Sequence, residues 1–220
     1  MIMTDTAMSA DEKAALAAVN MDALKRQVIA ESWTDHMEDL MKAWGEKAAG
    51  LRWIHNRDSG IWREFSDKLS MWGIVLTTIV STVAVATANV KDFSAAVNYS
   101  IGGIGMFSTL IQSIKKFYAA DEKAADHSAM AKQFGSFYRY ITLQMAMDRG
   151  NRKAPDTLSE WALAEYERMQ QEAPSVTCST ISSFRNKFPD AENIPDCAEK
   201  DFNIKIQGRE ATPPEIIYED

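Results

Sequence analysis

Two long stretches without a charged side chain lie back to back in the middle of the chain, and they constrain its fold more than any other feature. The first runs from Leu69 to Val90 and the second from Phe93 to Ile114, and each holds 22 residues. Only Lys91 and Asp92 separate them. A helix of about 20 apolar residues, rising about 1.5 Å per residue, crosses the hydrocarbon core of a bilayer. The pattern therefore predicts a transmembrane hairpin of two helices.

Small side chains recur at helical spacing in both stretches. In lipid, such positions allow two helix backbones to approach closely. We therefore expect the two spans to pack on each other through the following small residues: Thr78, Thr82 and Ala86 in the first span, and Gly102, Gly105 and Thr109 in the second. A leucine in place of Gly105 should then force the two helices apart.

A buried hairpin inside a soluble helical bundle is the alternative, although two adjacent uncharged stretches of spanning length are rare in soluble proteins. Basic residues flank the outer ends of the two stretches: Arg57, Arg63, Lys68, Lys115 and Lys116. By the positive-inside rule, both chain termini then lie on the cytoplasmic side and only the short turn lies on the other.

The rest of the chain also has a helical pattern, so the predicted fold is an all-α membrane protein. Apolar residues at a spacing of about 3.6 extend the hairpin into a stalk, which gives a unit over residues 31–150 with an acidic helical extension over residues 1–30. An additional helix is expected over residues 151–173. Residues 174–220 contain few apolar side chains, so we expect an irregular segment that becomes ordered mainly on a partner, with one short helix around residues 180–188.

Two histidines, His55 and His127, interrupt the apolar stripes on the two arms of the stalk. If the chain reverses near Lys91 and Asp92, residues whose numbers add up to about 182 to 184 lie level in an antiparallel pair. This register brings the two imidazoles together. It also pairs opposite charges, Arg57 with Asp126 and Arg63 with Asp121. The histidines then form either a neutral hydrogen-bonded pair or a proton-sensitive joint.

Charge and motif content argue against several classes of function. The formal net charge is -7, which disfavours binding to nucleic acid. The chain has no P-loop, no HExxH and no GxSxG motif, so neither an enzyme nor a cofactor site is predicted. The three histidines lack metal-ligand spacing, and Cys178 and Cys197 match neither a zinc motif nor a disulfide scaffold.

Three aromatic and basic runs carry a family resemblance: RWIHN from Arg52 to Asn56, WREFSDKLSMWGIVLTTIVSTVAVATAN, and IGGIGMFSTLIQSIKKFYAADEKAADHSAMAKQFGSFYRYITLQMAMDR. The run APSVTCSTISSFRNKFPDAENIPDCAEKDFNI adds a short helix led by proline and a Pro-Asp-Cys segment. In these runs, over residues 40–205, the chain resembles a two-helix membrane family related to SLATT domains. It is most similar to the copies encoded by large nucleocytoplasmic DNA viruses of algae and protists.

The resemblance implies two functions that remain alternatives. The viral relatives imply a structural protein of the virion's internal membrane, with both termini facing the capsid shell or minor capsid proteins. The bacterial SLATT proteins are regarded as membrane effectors, which implies a pore-forming or membrane-disrupting homo-oligomer. Asn98, Ser100 and Gln112 would then line the lumen, although bonding within the hairpin is the favoured explanation for them. A scaffold that recruits soluble factors through its tail is a third possibility.

Overall fold

The computed structural model describes residues 10–87 and 95–199, and within these ranges all regular structure is helical. The predicted all-α class is thus confirmed for this part of the chain. Six α-helices are described: α1 (Ala10–Ser32), α2 (Asp35–Thr87), α3 (Ala95–Tyr118), α4 (Ala120–Ala146), α5 (Pro155–Glu172) and α6 (Cys178–Lys187). Short 3₁₀ turns lie at Arg149–Asn151 and Asp196–Ala198.

The second helix, α2, is continuous over 53 residues and about 80 Å long. Asp35 and Glu38 lie in its first turn, where acidic side chains complement the helix dipole. The helix passes through Leu69, the predicted start of the first span, without a break. Ile114 lies within α3. The other two predicted span limits, Val90 and Phe93, lie outside the described residues.

Helix α2 runs antiparallel to α3 and α4. Ser59 Oγ donates to the carbonyl oxygen of Ala124 at 2.8 Å, and Lys115 Nζ donates to Ser70 Oγ at 2.8 Å. Nearer the end of α2, Thr77 Oγ1 and Ser108 Oγ lie 3.0 Å apart. As the residue number increases along α2, the number of the residue that it contacts in α4 and α3 decreases, as in an antiparallel pair.

The second arm is divided into two helices at Ala119. This residue has φ 47° and ψ 43°, in the left-handed region, where a residue with a Cβ is strained by about 1 kcal/mol. Its N–H donates to Lys116 O at 3.1 Å, and its carbonyl oxygen accepts from Lys123 N–H at 2.9 Å. The break separates the part of the arm that contacts the end of α2 from the part that contacts its beginning.

Most of the core lies between the first part of α2 and the helices α4, α5 and α6, and we call α2 residues 35–68 with these three helices the body. Its fully buried side chains include Met41 and Ile54 of α2, Phe134 of α4 and Leu158 of α5. We call α2 residues 69–87 together with α3 the apolar end.

The segment after Pro174 is folded onto α2, so the expectation of an irregular segment that needs a partner is wrong for residues 174–199. Phe184 is only 3% exposed and Pro195 is fully buried. An added Cβ on Gly50 of α2 would lie 2.5 Å from Pro195 Cγ, so only glycine allows this approach. The few apolar residues of the segment suffice because they all face one surface, which composition alone does not reveal.

Candidate functional site: a buried polar layer between α2 and α4

Polar side chains are buried at the centre of the α2–α4 contact. Nδ1 of His55 lies 2.9 Å from Nδ1 of His127, as the antiparallel register predicted, and each side chain is only 1% exposed. At this distance one nitrogen carries the proton and the other accepts it, so the two neutral rings are opposite tautomers. The His55 ring also stacks on Phe134, with centroids 5.6 Å apart.

Burial sets the charge of this histidine pair. It lowers the pKa of His55 to about 4, with a further lowering by His127, while the carboxylate of Asp58 acts in the opposite direction. Burial also lowers the pKa of His127, against the raising effects of Asp58 and Asp126, and Lys123 adds to the lowering. Both rings are therefore neutral at pH 7. A first proton can be shared between the two Nδ1 atoms, but a second leaves two donors face to face.

Asp58 lies one helical turn after His55 and is fully buried. Its Oδ2 accepts the backbone N–H of Thr177 at 2.8 Å, and its Oδ1 accepts the hydroxyl of Thr180 at 2.5 Å. The carboxylate therefore caps the N-terminus of α6, where a negative charge complements the helix dipole. The polar layer and the C-terminal segment thus share one side chain.

The sequence placed Asp58 on the same stripe as His55 but did not indicate its role. The partners of the carboxylate, Thr177 and Thr180, lie about 120 residues further along the chain. No spacing rule links residues so far apart. The only usable signal was a carboxylate on a stripe that was otherwise apolar, which implies a buried hydrogen-bond partner.

Neither predicted charge pair forms. Asp121 accepts hydrogen bonds from Lys115, at 2.7 Å, and from Ser66 instead of pairing with Arg63. The guanidinium of Arg57 lies over the Trp53 ring, 5.7 Å from its centroid, and makes no ion pair with Asp126. The predicted pairing was wrong because the register gives only the position of a residue along the helix axis and not the direction in which its side chain points. Arg57 and Arg63 lie on the exposed side of α2, since each residue turns the helix by about 100°.

The predicted small-residue packing face is also wrong. In the apolar end, the helices meet at Gly73, Thr77 and Ser108. An added Cβ on Gly102 or Gly105 would meet nothing within 4 Å, so a leucine at Gly105 has room. The remaining residues of the predicted face are exposed: Thr78, Thr82, Ala86 and Thr109. The residues in contact, Thr77 and Ser108, each precede a predicted residue by one position. The difference arises because α2 is continuous, so its packing in the body fixes which of its faces points at α3.

Of the residues predicted to line a lumen, Gln112 points at the partner helix. Its amide nitrogen occupies the space beside Gly73, where an added Cβ would collide with it. Ser100 is exposed, and the side chain of Asn98 lies outside the described residues. The position of Gln112 therefore agrees with the alternative that polar side chains of the hairpin contact the partner helix instead of lining a lumen.

Within the described ranges, no group of three or more histidine, cysteine, aspartate or glutamate side chains comes together as a metal ion would need. Cys178 and Cys197 are both free thiols and exposed. Although Cys197 is exposed as a residue, neighbouring atoms desolvate its sulfur, and this together with the charge of Asp196 raises the pKa of the thiol, which favours the unreactive protonated form. The polar layer around the two histidines is therefore the site with the most distinct chemistry, and that chemistry is proton uptake.

No family model, no curated protein and no solved structure matches this chain. The resemblance to SLATT-related proteins therefore stays a prediction from the sequence runs that carry it.

Proposed function

We propose that this protein is a structural membrane protein, with its apolar end in a bilayer and its body on one side of it. The observation that carries the proposal is the exposure of an apolar stretch. Among the described helices, α2 is long and apolar enough to cross a membrane, yet only 6% of that stretch is buried. A core helix of a soluble protein is mostly buried, because water-exposed apolar surface is costly.

Large apolar side chains around the apolar end point away from the protein. Val85 and Met106 are 76% and 77% exposed, and Ile74 is 66% exposed. The two buried positions between the helices are a glycine and a serine, Gly73 and Ser108, and half-buried aliphatic residues such as Leu76 and Ile104 lie beside them. This arrangement suits a lipid environment, where large apolar side chains face the lipid and small residues bring the helices together.

Five hydroxyl groups in the apolar end are satisfied within their own helices. Thr77, Thr78 and Thr82 each donate to the carbonyl oxygen four residues earlier, at 2.8 Å. Thr109 and Ser113 of α3 do the same at 3.1 and 2.9 Å. Since a bilayer core offers no water as a partner, this bonding makes the hydroxyls tolerable there.

Aromatic rings and lysines lie where the apolar end meets the body. Phe65 and Tyr118 make an edge-to-face contact across the two arms, and Phe117 is 83% exposed. Lys115 and Lys116 lie in the last turn of α3. Aromatic belts and basic residues of this kind are typical of a bilayer boundary on the cytoplasmic side.

Membrane fractionation of two matched variants tests the proposal. Ile79 and Ile61 both lie on the surface of α2, at 44% and 39% exposed, but only Ile79 lies in the apolar end. We expect the wild-type protein to resist extraction by alkaline carbonate and to be released by detergent. Ile79→Lys should shift most of the protein to the soluble or aggregated fraction, while Ile61→Lys should not. Release of the wild-type protein by carbonate would contradict the proposal.

The resemblance to the viral proteins extends this proposal to the internal membrane of a large DNA virus. Such capsids assemble in the cytoplasm, so the cytoplasmic face of the membrane faces the shell. A body on that side would contact capsid or minor capsid proteins. Mass spectrometry of purified virions should find the protein in a detergent-sensitive layer, and its absence from virions would contradict this setting.

One observation favours the second function, a homo-oligomeric pore. Gly105 and Thr109 face open space on α3, so this small-residue surface is free to contact neighbouring copies in the membrane. Ion leakage from liposomes that carry the protein, abolished by Gly105→Leu, would support a pore. Intact liposomes at high protein density would contradict it and leave the structural function in place.

A further inference from the structure

The first helix, α1, has an apolar row that nothing in the described part of the chain covers. Met21, Leu24 and Val28 are 56%, 55% and 58% exposed. The helix contacts the rest of the described chain near its own end, where the carbonyl oxygen of Arg26 would lie 2.9 Å from a Cβ added to Gly150 of the 3₁₀ turn. In proteins most of the stability of a helix comes from packing of its apolar face, so a partner for this row would stabilise α1.

The apolar row follows a heptad pattern. Ala17, Met21, Leu24 and Val28 are spaced by four, three and four residues, and the sequence continues the alternation back to Ala14 and Ala10. Alternating spacings of three and four residues place apolar residues along one seam of a two-stranded coiled coil. The row therefore has the pattern of a helix that packs against another helix.

We propose that α1 binds α1 of a second copy of this chain as an antiparallel coiled coil. The seam is asymmetric, with alanines in its first half and large apolar residues in its second. Antiparallel pairing places Ala17 beside the partner's Met21 and sets the alanine half of the sequence pattern along the half with the large residues. The layer of Ala17 and Met21 then holds one small and one large side chain, which keeps the distance between the helices uniform. Parallel pairing would place alanine against alanine and leave gaps there.

Charges beside the seam agree with the antiparallel arrangement. Asp11 and Lys25 are 14 residues apart, two heptads, so they lie on the same edge of the seam. In the antiparallel pair, Asp11 of each copy faces the partner's Lys25. Neither residue has an ion pair within the described part of its own chain, whereas Arg26 and Asp22 pair at 2.9 Å away from the seam. An arrangement of this symmetry closes as a dimer.

The proposed dimer goes beyond the proposed function because α1, which joins the two copies, lies outside the part of the molecule assigned to the membrane. It uses no residue of the apolar end. Failure of the membrane proposal and failure of this one are therefore distinguishable, since fractionation tests the first and oligomeric state tests the second.

Charge exchange between the two helices tests the register. The full-length protein in detergent micelles should sediment as a dimer. We expect Asp11→Lys and Lys25→Asp each to weaken the dimer about tenfold, because each places like charges opposite each other twice. An equimolar mixture of the two variants should recover the wild-type affinity to within about threefold, since each charge then meets its opposite. A monomeric wild-type protein, or no recovery in the mixture, would overturn the antiparallel dimer.

Disulfide crosslinking distinguishes the two orientations directly. In a Cys178→Ser, Cys197→Ser background, Ala17→Cys and Met21→Cys should crosslink when mixed but not when each is alone. Efficient crosslinking of Met21→Cys alone would show a parallel pair and overturn the proposal. Val19→Cys is the matched control, because Val19 is 65% exposed but lies away from the seam. It should not crosslink in any mixture, and a dimer that crosslinks equally through Val19 would also overturn the assigned seam.

Discussion

The body and the apolar end share helix α2, yet they bury different side chains against it. In the body, large apolar and aromatic residues are completely buried between the helices, as Ile54 and Phe134 are. In the apolar end, the buried positions are Gly73 and Ser108, while Val85 and Met106 lie more than three-quarters exposed. Both ends of α2 belong to one unbroken helix, so the difference lies in the side chains and not in the backbone.

In the proposed membrane setting, the two ends meet different solvents. In water, burial of apolar area drives helices together, which explains the body. In lipid that driving force is absent, so close backbone contact and interhelical hydrogen bonds take its place. The polar layer at His55 and Asp58 lies within the body, where buried hydrogen bonds help to determine the pairing of α2 with α4 and α6.

Removal of the Asp58 carboxylate should have the largest effect on the body. Asp58→Ala leaves the N–H of Thr177 and the hydroxyl of Thr180 without their acceptor, and we expect a loss of about 4 kcal/mol in the free energy of unfolding. The segment after Pro174 should then become the first site of protease cleavage. Asp58→Asn should retain most of the stability, because an amide can accept from one group and donate to the other. Asp67→Ala, at an exposed position of the same helix, is the control. Unchanged protease resistance of Asp58→Ala would contradict the capping role.

The histidine pair should make the body sensitive to acid. The pKa of His55 is about 4 in the folded protein against 6.5 for the free side chain, so the unfolded state binds the proton more readily. Stability is therefore fully present above about pH 6.5 and falls as the pH decreases towards 4, by up to about 3 kcal/mol for this residue. His127 acts in the same direction.

Thermal unfolding at pH 7.5 and pH 5 measures this effect. The wild-type Tm should be lower at pH 5, and the decrease should be smaller in His55→Gln and His127→Gln. His36→Gln is a matched control, because His36 is exposed near the start of α2. It should keep the wild-type pH dependence. An equal decrease in all four proteins would show that the buried pair does not control acid sensitivity.

Two glycines of the apolar end should respond oppositely to a larger side chain. Gly73 is buried between the helices and the end of the Gln112 side chain lies against it, so Gly73→Leu should displace that amide, overfill the contact and lower the stability in detergent by about 1 to 2 kcal/mol. Gly105→Leu should cause no loss, because no atom lies within 4 Å of the added Cβ. Unfolding in sodium dodecyl sulfate titrations measures both. A larger loss for Gly105→Leu would mean that α3 packs on α2 through the opposite face.

The break between α3 and α4 should give the smallest effect. Ala119 has the left-handed conformation that glycine adopts without strain, so Ala119→Gly should stabilise the protein by up to about 1 kcal/mol. Ala125→Gly, at an exposed position inside α4, should instead destabilise it by about 1 kcal/mol. Equal losses in the two variants would indicate that the two helices are continuous in solution.

The sequence by itself determined the helical class, the position of the uncharged stretches and the height at which His55 meets His127. Heights follow from counting residues along two antiparallel helices, since each residue adds the same rise and an error of one residue moves a side chain only about 1.5 Å. Local patterns also sufficed for the fifth helix, predicted within residues 151–173 and found at Pro155–Glu172.

Only the tertiary structure decided which side chains face each other. One residue rotates a helix face by about 100°, so the same small error that leaves height unchanged moves Thr78 or Gly105 out of the contact and brings in Thr77 and Ser108. The same rotation directs Arg63 away from Asp121. Asp58 meets Thr177 across about 120 residues of chain, a distance that no periodicity spans. The position of a residue along a helix follows from a constant rise per residue, which the sequence gives. The face that a helix turns towards its neighbour, and contacts between distant parts of the chain, depend on how the whole body packs.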